Sequence, residues 1–139
     1  MNKKFLPVKK SEKEWKKILS SKQCHALRKK QTEAPFKGIY NNHFEKGLYN
    51  CSGCGNALFK SESKFYSTCG WPSFDSVIKD SAEELTDLSH GLIRTEVICK
   101  NCGGHQGHVF DDGPTVTGLR YCINSIGISF QKESPSEKK

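Results

Sequence analysis

Between Ser11 and Lys30 the apolar positions fall at helical spacing: Trp15, Ile18 and Leu19, then Ala26 and Leu27, with lysines filling the turns between them. Ser11, with Glu14 three residues on, carries the signature of a capping box at a helix start. Ser20-Ser21 predicts a break into two short helices, the second capped by Ser21. After Pro35 the texture changes. Short apolar pieces (Gly47–Tyr49, Ala57–Phe59, Leu92–Cys99, His108–Phe110, Leu119–Phe130) are separated by Gly, Asn, Asp and Ser. That pattern predicts a mainly β, mostly antiparallel domain with many loops. Ser81-Ala82-Glu83-Glu84-Leu85 reads as one helical turn within it. Residues 1–10 and 131–139 are polar and charged with nothing to bury, which predicts a flexible basic arm and a polar tail around a single domain at 11–130.

The chain has 139 residues, enough for one domain with its own core and too few for two. Its net charge is +7. Residues 1–30 hold 11 Lys/Arg against two acids, +9 in all, so the remainder carries 7 − 9 = −2. A basic arm therefore precedes a near-neutral domain, and the nucleic-acid partner suggested by the total charge loses its force. The lysines of the helical stretch read as a solvated face. No apolar run approaches the roughly 18 residues needed to span a bilayer. The short stretch Phe5-Leu6-Pro7-Val8 ends at Lys9-Lys10, so it forms no secretory apolar region. A cytoplasmic, reducing location is expected, with no membrane partner. There, cysteines are metal ligands or reactive thiols more often than structural bridges.

Seven cysteines need such an account. Cys51-Ser52-Gly53-Cys54-Gly55 and Cys99-Lys100-Asn101-Cys102-Gly103 share the form C-x-x-C-G. Two intervening residues let both thiolates of one turn face a single ion, and the following glycine permits the positive φ such a turn needs. Two such knuckles complete a tetrahedral Cys₄ site, for which zinc is the expected metal. With all four positions filled by protein, the metal is expected to be structural. A redox pair is the alternative for one CxxC alone, and two matched copies argue against it.

Cys69 and Cys122 lack CxxC partners. Cys69 lies in Ser67-Thr68-Cys69-Gly70-Trp71-Pro72-Ser73-Phe74, a loop by its Gly and Pro with an aromatic wall in Trp71 and Phe74. Cys122 lies in Leu119-Arg120-Tyr121-Cys122-Ile123-Asn124-Ser125, a strand by its β-branched and aromatic residues. Alternate strand residues share a face, so Arg120, Cys122 and Asn124 point together. A thiol flanked by a cation and an amide is set up for reactivity. His105-Gln106-Gly107-His108-Val109-Phe110 precedes the turn signal Asp111-Asp112-Gly113-Pro114. If the flanking pieces pair as a hairpin, His108 comes within reach of Cys122. His105 joins only if Gly107 allows a bend, because residues i and i+3 of a straight strand face opposite sides.

These stretches resemble one family, the B-type methionine-R-sulfoxide reductases. The resemblance rests on Cys-Gly-Trp-Pro-Ser-Phe at 69–74, Arg-Thr-Glu-Val at 94–97, His-Gln-Gly-His-Val-Phe-Asp-Asp-Gly-Pro at 105–114 and Arg-Tyr-Cys-Ile-Asn-Ser at 120–125. It runs from about Glu12 to Phe130. It implies two antiparallel sheets with short N-terminal helices, and zinc on Cys51, Cys54, Cys99 and Cys102. By resemblance Cys122 is the nucleophile and Cys69 the resolving cysteine. His105, His108 and Asn124 surround the sulfoxide oxygen, Trp71 receives the methyl group, and Phe110, Arg120 and Asp112 support the substrate site. Cys24 stands where the family has an aromatic and receives no role. The implied reaction is reduction of methionine-R-sulfoxide in oxidised proteins or peptides. It runs through a Cys122 sulfenic acid and a Cys69–Cys122 disulfide, recycled by thioredoxin, in a monomer without an organic cofactor.

Two other readings compete. A zinc-ribbon nucleic-acid module would leave Cys69, Cys122 and both histidines unexplained. A non-enzymatic thiol sensor would form the disulfide with peroxide and reduce no sulfoxide.

Overall fold

The computed structural model describes residues 10–36 and 38–132. The arm expected at 1–10 lies outside them except for Lys10, and so does the tail beyond residue 132. Helix α1 (Glu12–Ile18) opens with the expected capping box: the Glu14 amide donates to Ser11 Oγ at 3.2 Å and the Ser11 amide to Glu14 Oε1 at 2.8 Å. Trp15 and Leu19, four residues apart, face the core. Ile18 was expected on that face and instead points outward, 57% exposed, because a helix of seven residues presents only a narrow stripe to the sheet.

Helix α2 (Ser21–Leu27) is capped by Ser20, not by Ser21 as expected. Gln23 explains the shift. Its amide donates to Ser20 Oγ at 3.1 Å while its side chain accepts from the Ser20 amide at 3.0 Å. Ser21 has Cys24 at the corresponding position, which cannot reciprocate. Cys24, Ala26 and Leu27 are buried on this helix.

Among the described residues nine strands form two antiparallel sheets. The first has the order β2 (Ala57–Lys60), β1 (Gly47–Cys51), β9 (Ile128–Lys132). The second has the order β3 (Lys64–Phe65), β4 (Ser73–Phe74), β8 (Arg120–Ile123), β7 (His105–Phe110), β6 (Arg94–Cys99), β5 (Ala82–Asp87). The expected class, mainly β with two antiparallel sheets and short N-terminal helices, is the observed one.

Three local expectations change. The helical turn expected at 81–85 is strand β5, paired with β6 through six registered residues. Ser81 Oγ donates to the Ile78 carbonyl at 2.7 Å and so caps nothing, and pairing overrides the helix preference of Ala and Glu. The piece 119–130 is broken by a 3₁₀ turn at Ser125–Gly127, which passes the chain from the second sheet to the first. Strand β9 runs to Lys132, two residues into the expected tail, and Asn50 Nδ2 donates to Gln131 Oε1 at 2.9 Å.

Fully buried Tyr49, Leu58 and Phe59 of the first sheet meet Phe74, Val97 and Ile123 of the second. Phe59 and Phe74 stack with centroids 4.3 Å apart, and Tyr49 meets Phe74 edge-on at 5.1 Å. Truncating either phenylalanine to alanine should cost about 3–5 kcal/mol. Among the described residues no helix is long and apolar enough to cross a membrane.

Candidate active site

Two groups of cysteines sit at different places on this frame. Cys51 ends β1 and Cys99 ends β6, and each leads into a turn whose glycine has positive φ, Gly55 at +82° and Gly103 at +79°. The turns close through Gly55 N–H to the Cys51 carbonyl (2.8 Å) and Gly103 N–H to the Cys99 carbonyl (2.7 Å). The four Sγ atoms of Cys51, Cys54, Cys99 and Cys102 all lie within 4.8 Å of one another. Cys51 and Cys102 are 3.7 Å apart and Cys54 and Cys99 are 3.6 Å apart, and none is bridged. Bonds of about 2.3 Å to one tetrahedral ion place sulfurs about 3.8 Å apart, so the cluster fits a metal. Donors surround it. Gly53 N and Gln106 Nε2 each lie 3.4 Å from Cys51 Sγ, Asn56 Nδ2 lies 3.6 Å from Cys99 Sγ, and Arg28 Nη1 donates to the Cys102 carbonyl at 2.9 Å.

The second group lines a cavity of about 230 Å³ with Thr32, Trp71, Arg94, Gly107, His108, Phe110, Arg120 and Asn124 around Cys69 and Cys122. The sequence-based prediction that Arg120, Cys122 and Asn124 share a face holds. The expected hairpin also forms: β7 and β8 are antiparallel, with His108 directly opposite Cys122. β4 flanks β8 on its other side and sets Ser73 opposite Cys122. This holds the loop that carries Cys69 close, and the two sulfurs are 3.8 Å apart.

The bend required to bring in His105 exists. Between β6 and β7 the register slips: Val97 faces Gly107 but Ile98 faces His105, leaving Gln106 unpaired in a bulge. Gly107 has φ +154°, and a Cβ there would lie 2.1 Å from the Cys122 carbonyl oxygen, so only glycine fits. The two imidazoles end with centroids 5.4 Å apart. His105 lies behind the cavity wall, however, and not in its lining. Its Nδ1 is 2.7 Å from Glu96 Oε2, and its Nε2 is buried without a protein partner. His108 lines the cavity and holds Asp87 Oδ2 through Nε2 at 2.7 Å.

The other expected residues are present with specific partners. Trp71 Nε1 donates to the Glu33 carbonyl at 3.0 Å. Arg120 grips Asp112 with Nε at 2.8 Å and Nη2 at 3.1 Å, and its guanidinium lies over the Phe110 ring at 4.5 Å. Asn124 spends its amide on the main chain, donating to the Gln31 carbonyl and accepting from the Glu33 amide, both at 3.2 Å. It fixes the segment that carries Thr32 and forms one cavity wall. A larger groove of about 700 Å³ lies behind that segment, between α2 and Ile126–Ser129, and none of the cysteines lines it.

The electrostatics follow from these contacts. Burial pushes His108 below its ordinary range, and the Asp87 carboxylate opposes this only in part. The hydrogen bond from His108, backed by Ser89 and Lys30, holds Asp87 well below the usual carboxylate range. Cys69 and Cys122 behave as a pair. The hydrogen bond from Cys122, helped by Ser67, Ser73 and the backbone, pulls the Cys69 thiol down to about 4. The same contact, together with burial, pushes Cys122 up, against the pull of Arg120. One negative charge is therefore easy to place on the two sulfurs and a second is hard.

Glu96 sits inside one of the quoted stretches but drew no assignment from sequence, and Lys30, Asp87 and Glu33 drew none at all. Their roles depend on strand register and loop docking, for which a single sequence carries no signal.

The SelR domain model matches residues 19–132. This chain belongs to the SelR family. Among its curated relatives, a peptide methionine sulfoxide reductase MsrB of Bradyrhizobium diazoefficiens is 53% identical over 123 residues, 88% of each chain. Proteins of the same name from Methanosarcina barkeri (50% over 132 residues, 94% of this chain and 93% of that one) and Leptospira interrogans (51% over 127 residues, 91% and 97%) are also similar. The B-type resemblance read from the motifs is thus the family of the whole domain. As a SelR-family member the chain is an oxidoreductase.

Proposed function

We propose that this SelR-family protein reduces the R-epimer of methionine sulfoxide in oxidised proteins and peptides, with Cys122 as nucleophile and Cys69 as resolving thiol. The observation that carries the reading is a pair of thiols 3.8 Å apart at the wall of a side-chain-sized cavity that also holds Trp71, His108 and Arg120. A sulfoxide sulfur accepts a nucleophile only when its oxygen gains a proton, so the site needs a thiolate, an acid and an apolar seat for the methyl group. The charge of the pair rests on Cys69 and passes to Cys122 when the Cys122 proton crosses the 3.8 Å contact; the Cys122 thiolate, held by Arg120, then attacks the sulfur. His108, its Nε2–H held by Asp87, takes a proton from water at its free Nδ1 and passes it to the oxygen. Asn124 holds the Thr32 wall, and Trp71 seats the methyl group.

Methionine departs with the electron pair of the former S–O bond, and the oxygen stays on Cys122 as a sulfenic acid. Cys69 attacks that sulfur, forming the Cys69–Cys122 disulfide and releasing water. A disulfide needs its sulfurs about 2.05 Å apart, so they close by less than 2 Å and no large swing of the Gly70–Pro72 loop is required. An external dithiol, thioredoxin in this reading, returns both cysteines to thiols. His105 acts from behind His108. The metal of the four-cysteine cluster is zinc, which when bound ties β1 to β6; the fully protein-filled donor set supports a structural role.

The test is turnover of a methionine-R-sulfoxide peptide against its S-epimer, with product followed chromatographically. R-selective reduction that disappears in Cys122→Ser is expected. Turnover that survives this substitution sinks the assignment.

A further inference from the structure

Lys30 follows α2 with φ +60°, a left-handed conformation that residues other than glycine rarely adopt. Its side chain reaches back to the second sheet, where Nζ lies 3.0 Å from Asp87 Oδ1 and 3.3 Å from Glu96 Oε1. The other oxygen of each carboxylate holds a histidine: Asp87 Oδ2 to His108 Nε2 and Glu96 Oε2 to His105 Nδ1, both at 2.7 Å. One ammonium therefore spans two carboxylate–imidazole pairs whose acids come from different strands. Arg94, the other cation nearby, is 3.6 Å from Asp87. An ionised carboxylate only accepts, so these bonds fix the tautomers: His108 carries its proton on Nε2 and keeps Nδ1 free, whereas His105 carries its proton on Nδ1.

We propose that Lys30 is a positioning residue that, by bridging Asp87 and Glu96, locks His105 and His108 into one oriented unit at the back of the cavity. It touches neither thiol nor substrate and acts through the two acids. Without it, two neighbouring buried carboxylates repel each other, and the histidines lose the fixed acceptors that choose their tautomers. The kinetic consequence rests on the sulfoxide-reductase reading; the structural one does not.

The charges around His108 set the expected signs. Asp87 faces it from β5, Arg94 and Glu96 from β6, His105 from β7, Cys122 from β8 and Lys30 from the linker after α2. Removing the Lys30 cation makes His108 easier to protonate, and removing the Asp87 anion makes it harder. General loosening would raise both variants toward the free imidazole value near 6.5, so it is the opposite sign in Asp87→Asn that separates positioning from loosening.

The experiment records the ring-nitrogen NMR signals of the histidines across pH in the full-length, metal-loaded protein, beside single-turnover reduction of a methionine sulfoxide peptide. Lys30→Met is expected to raise the His108 titration midpoint, blur both tautomers together and slow the single turnover about tenfold with little change in KM. Lys30→Arg restores the wild-type pattern, and Asp87→Asn moves the midpoint down. Should Asp87→Asn not fold, the Lys30→Met and Lys30→Arg pair decides. Unchanged tautomers and midpoint in Lys30→Met overturn the proposal, as does a change confined to His105. If the tautomers respond as described while the wild-type protein reduces no sulfoxide, the positioning role stands and the functional reading falls.

Discussion

The cysteines at 51, 54, 99 and 102 and those at 69 and 122 are one side chain placed in two opposite settings. In the first, four sulfurs lie within 4.8 Å of one another, two pairs of them 3.6–3.7 Å apart, and N–H donors lie against them. No position is left for another molecule. In the second, two sulfurs share a hydrogen bond, and the space beyond them is a cavity with an imidazole, a guanidinium and an aromatic wall. Thiol identity decides neither fate. What separates them is whether the remaining valence of each sulfur is filled by protein or left facing a space that a substrate can enter.

The strongest way to break this contrast is Cys122→Ser. It should abolish reduction of the sulfoxide peptide, a loss of at least about 10⁴-fold in kcat/KM, while metal content and Tm stay at wild-type values. A parallel loss of metal would merge the two sites. Cys51→Ser is the reverse experiment. Breaking the donor set should release the metal, measured by elemental analysis, and lower Tm by about 10 °C, as expected for a loss of 3–5 kcal/mol in a domain of this size. A variant that keeps both its metal and its Tm would dissolve the structural assignment.

Cys69→Ser tests the internal asymmetry of the reactive pair. One equivalent of methionine should form per chain at near wild-type rate, followed by a fall of about 100-fold in dithiol-driven turnover. Undiminished recycling would assign the resolving role elsewhere. The pair is also expected to ionise as a unit. Cys69 sits at about 4 because Cys122 donates to it. A depressed folded-state value keeps the thiolate, and its alkylation, down to acidic pH, and both are lost as pH falls through that value. In Cys122→Ser the strongest donor becomes a hydroxyl and the midpoint of Cys69 alkylation should move; in Cys122→Ala it should rise toward the ordinary thiol range near 8.5. An unmoved midpoint in the alanine variant would mean that Ser67, Ser73 and the backbone hold the charge alone. The smallest effect is expected at the rim. Asp112→Asn breaks an ion pair with Arg120 on its exposed side and should leave the denaturant midpoint close to that of the wild type.

The reactive hairpin was largely legible in the sequence because its determinants are local. Alternation places Arg120, Cys122 and Asn124 together, Asp111–Pro114 supplies the turn, and Gly107 is the one residue through which His105 could rejoin His108. The knuckles were legible for the same reason. What escaped depends on partners distant in the chain. Strand β5 reads as a helical turn until β6 pairs with it. Ser20 displaces Ser21 as a cap through a single glutamine. Lys30, Asp87, Glu96 and Glu33 acquire meaning only once the α2 linker is laid against the sheet, and register of that kind leaves no mark on local composition.

Gln106 is the extra residue of the bulge, where His105–Gly107 of β7 spans Val97–Ile98 of β6. Its amide touches Cys51 Sγ at 3.4 Å, and its carbonyl accepts the Asn124 amide at 2.9 Å. The stretch from His105 to His108 thus serves the four-cysteine cluster with one residue and the cavity with its neighbours. Changing a side chain there alters one site at a time. Deleting Gln106 would restore strict alternation with His105 still opposite Ile98 and on the face of His108, but it would remove the amide at Cys51 Sγ and the carbonyl that holds Asn124 in the same step. Both sites, though assembled from distant stretches of sequence, are therefore more sensitive to the length of this strand than to its composition.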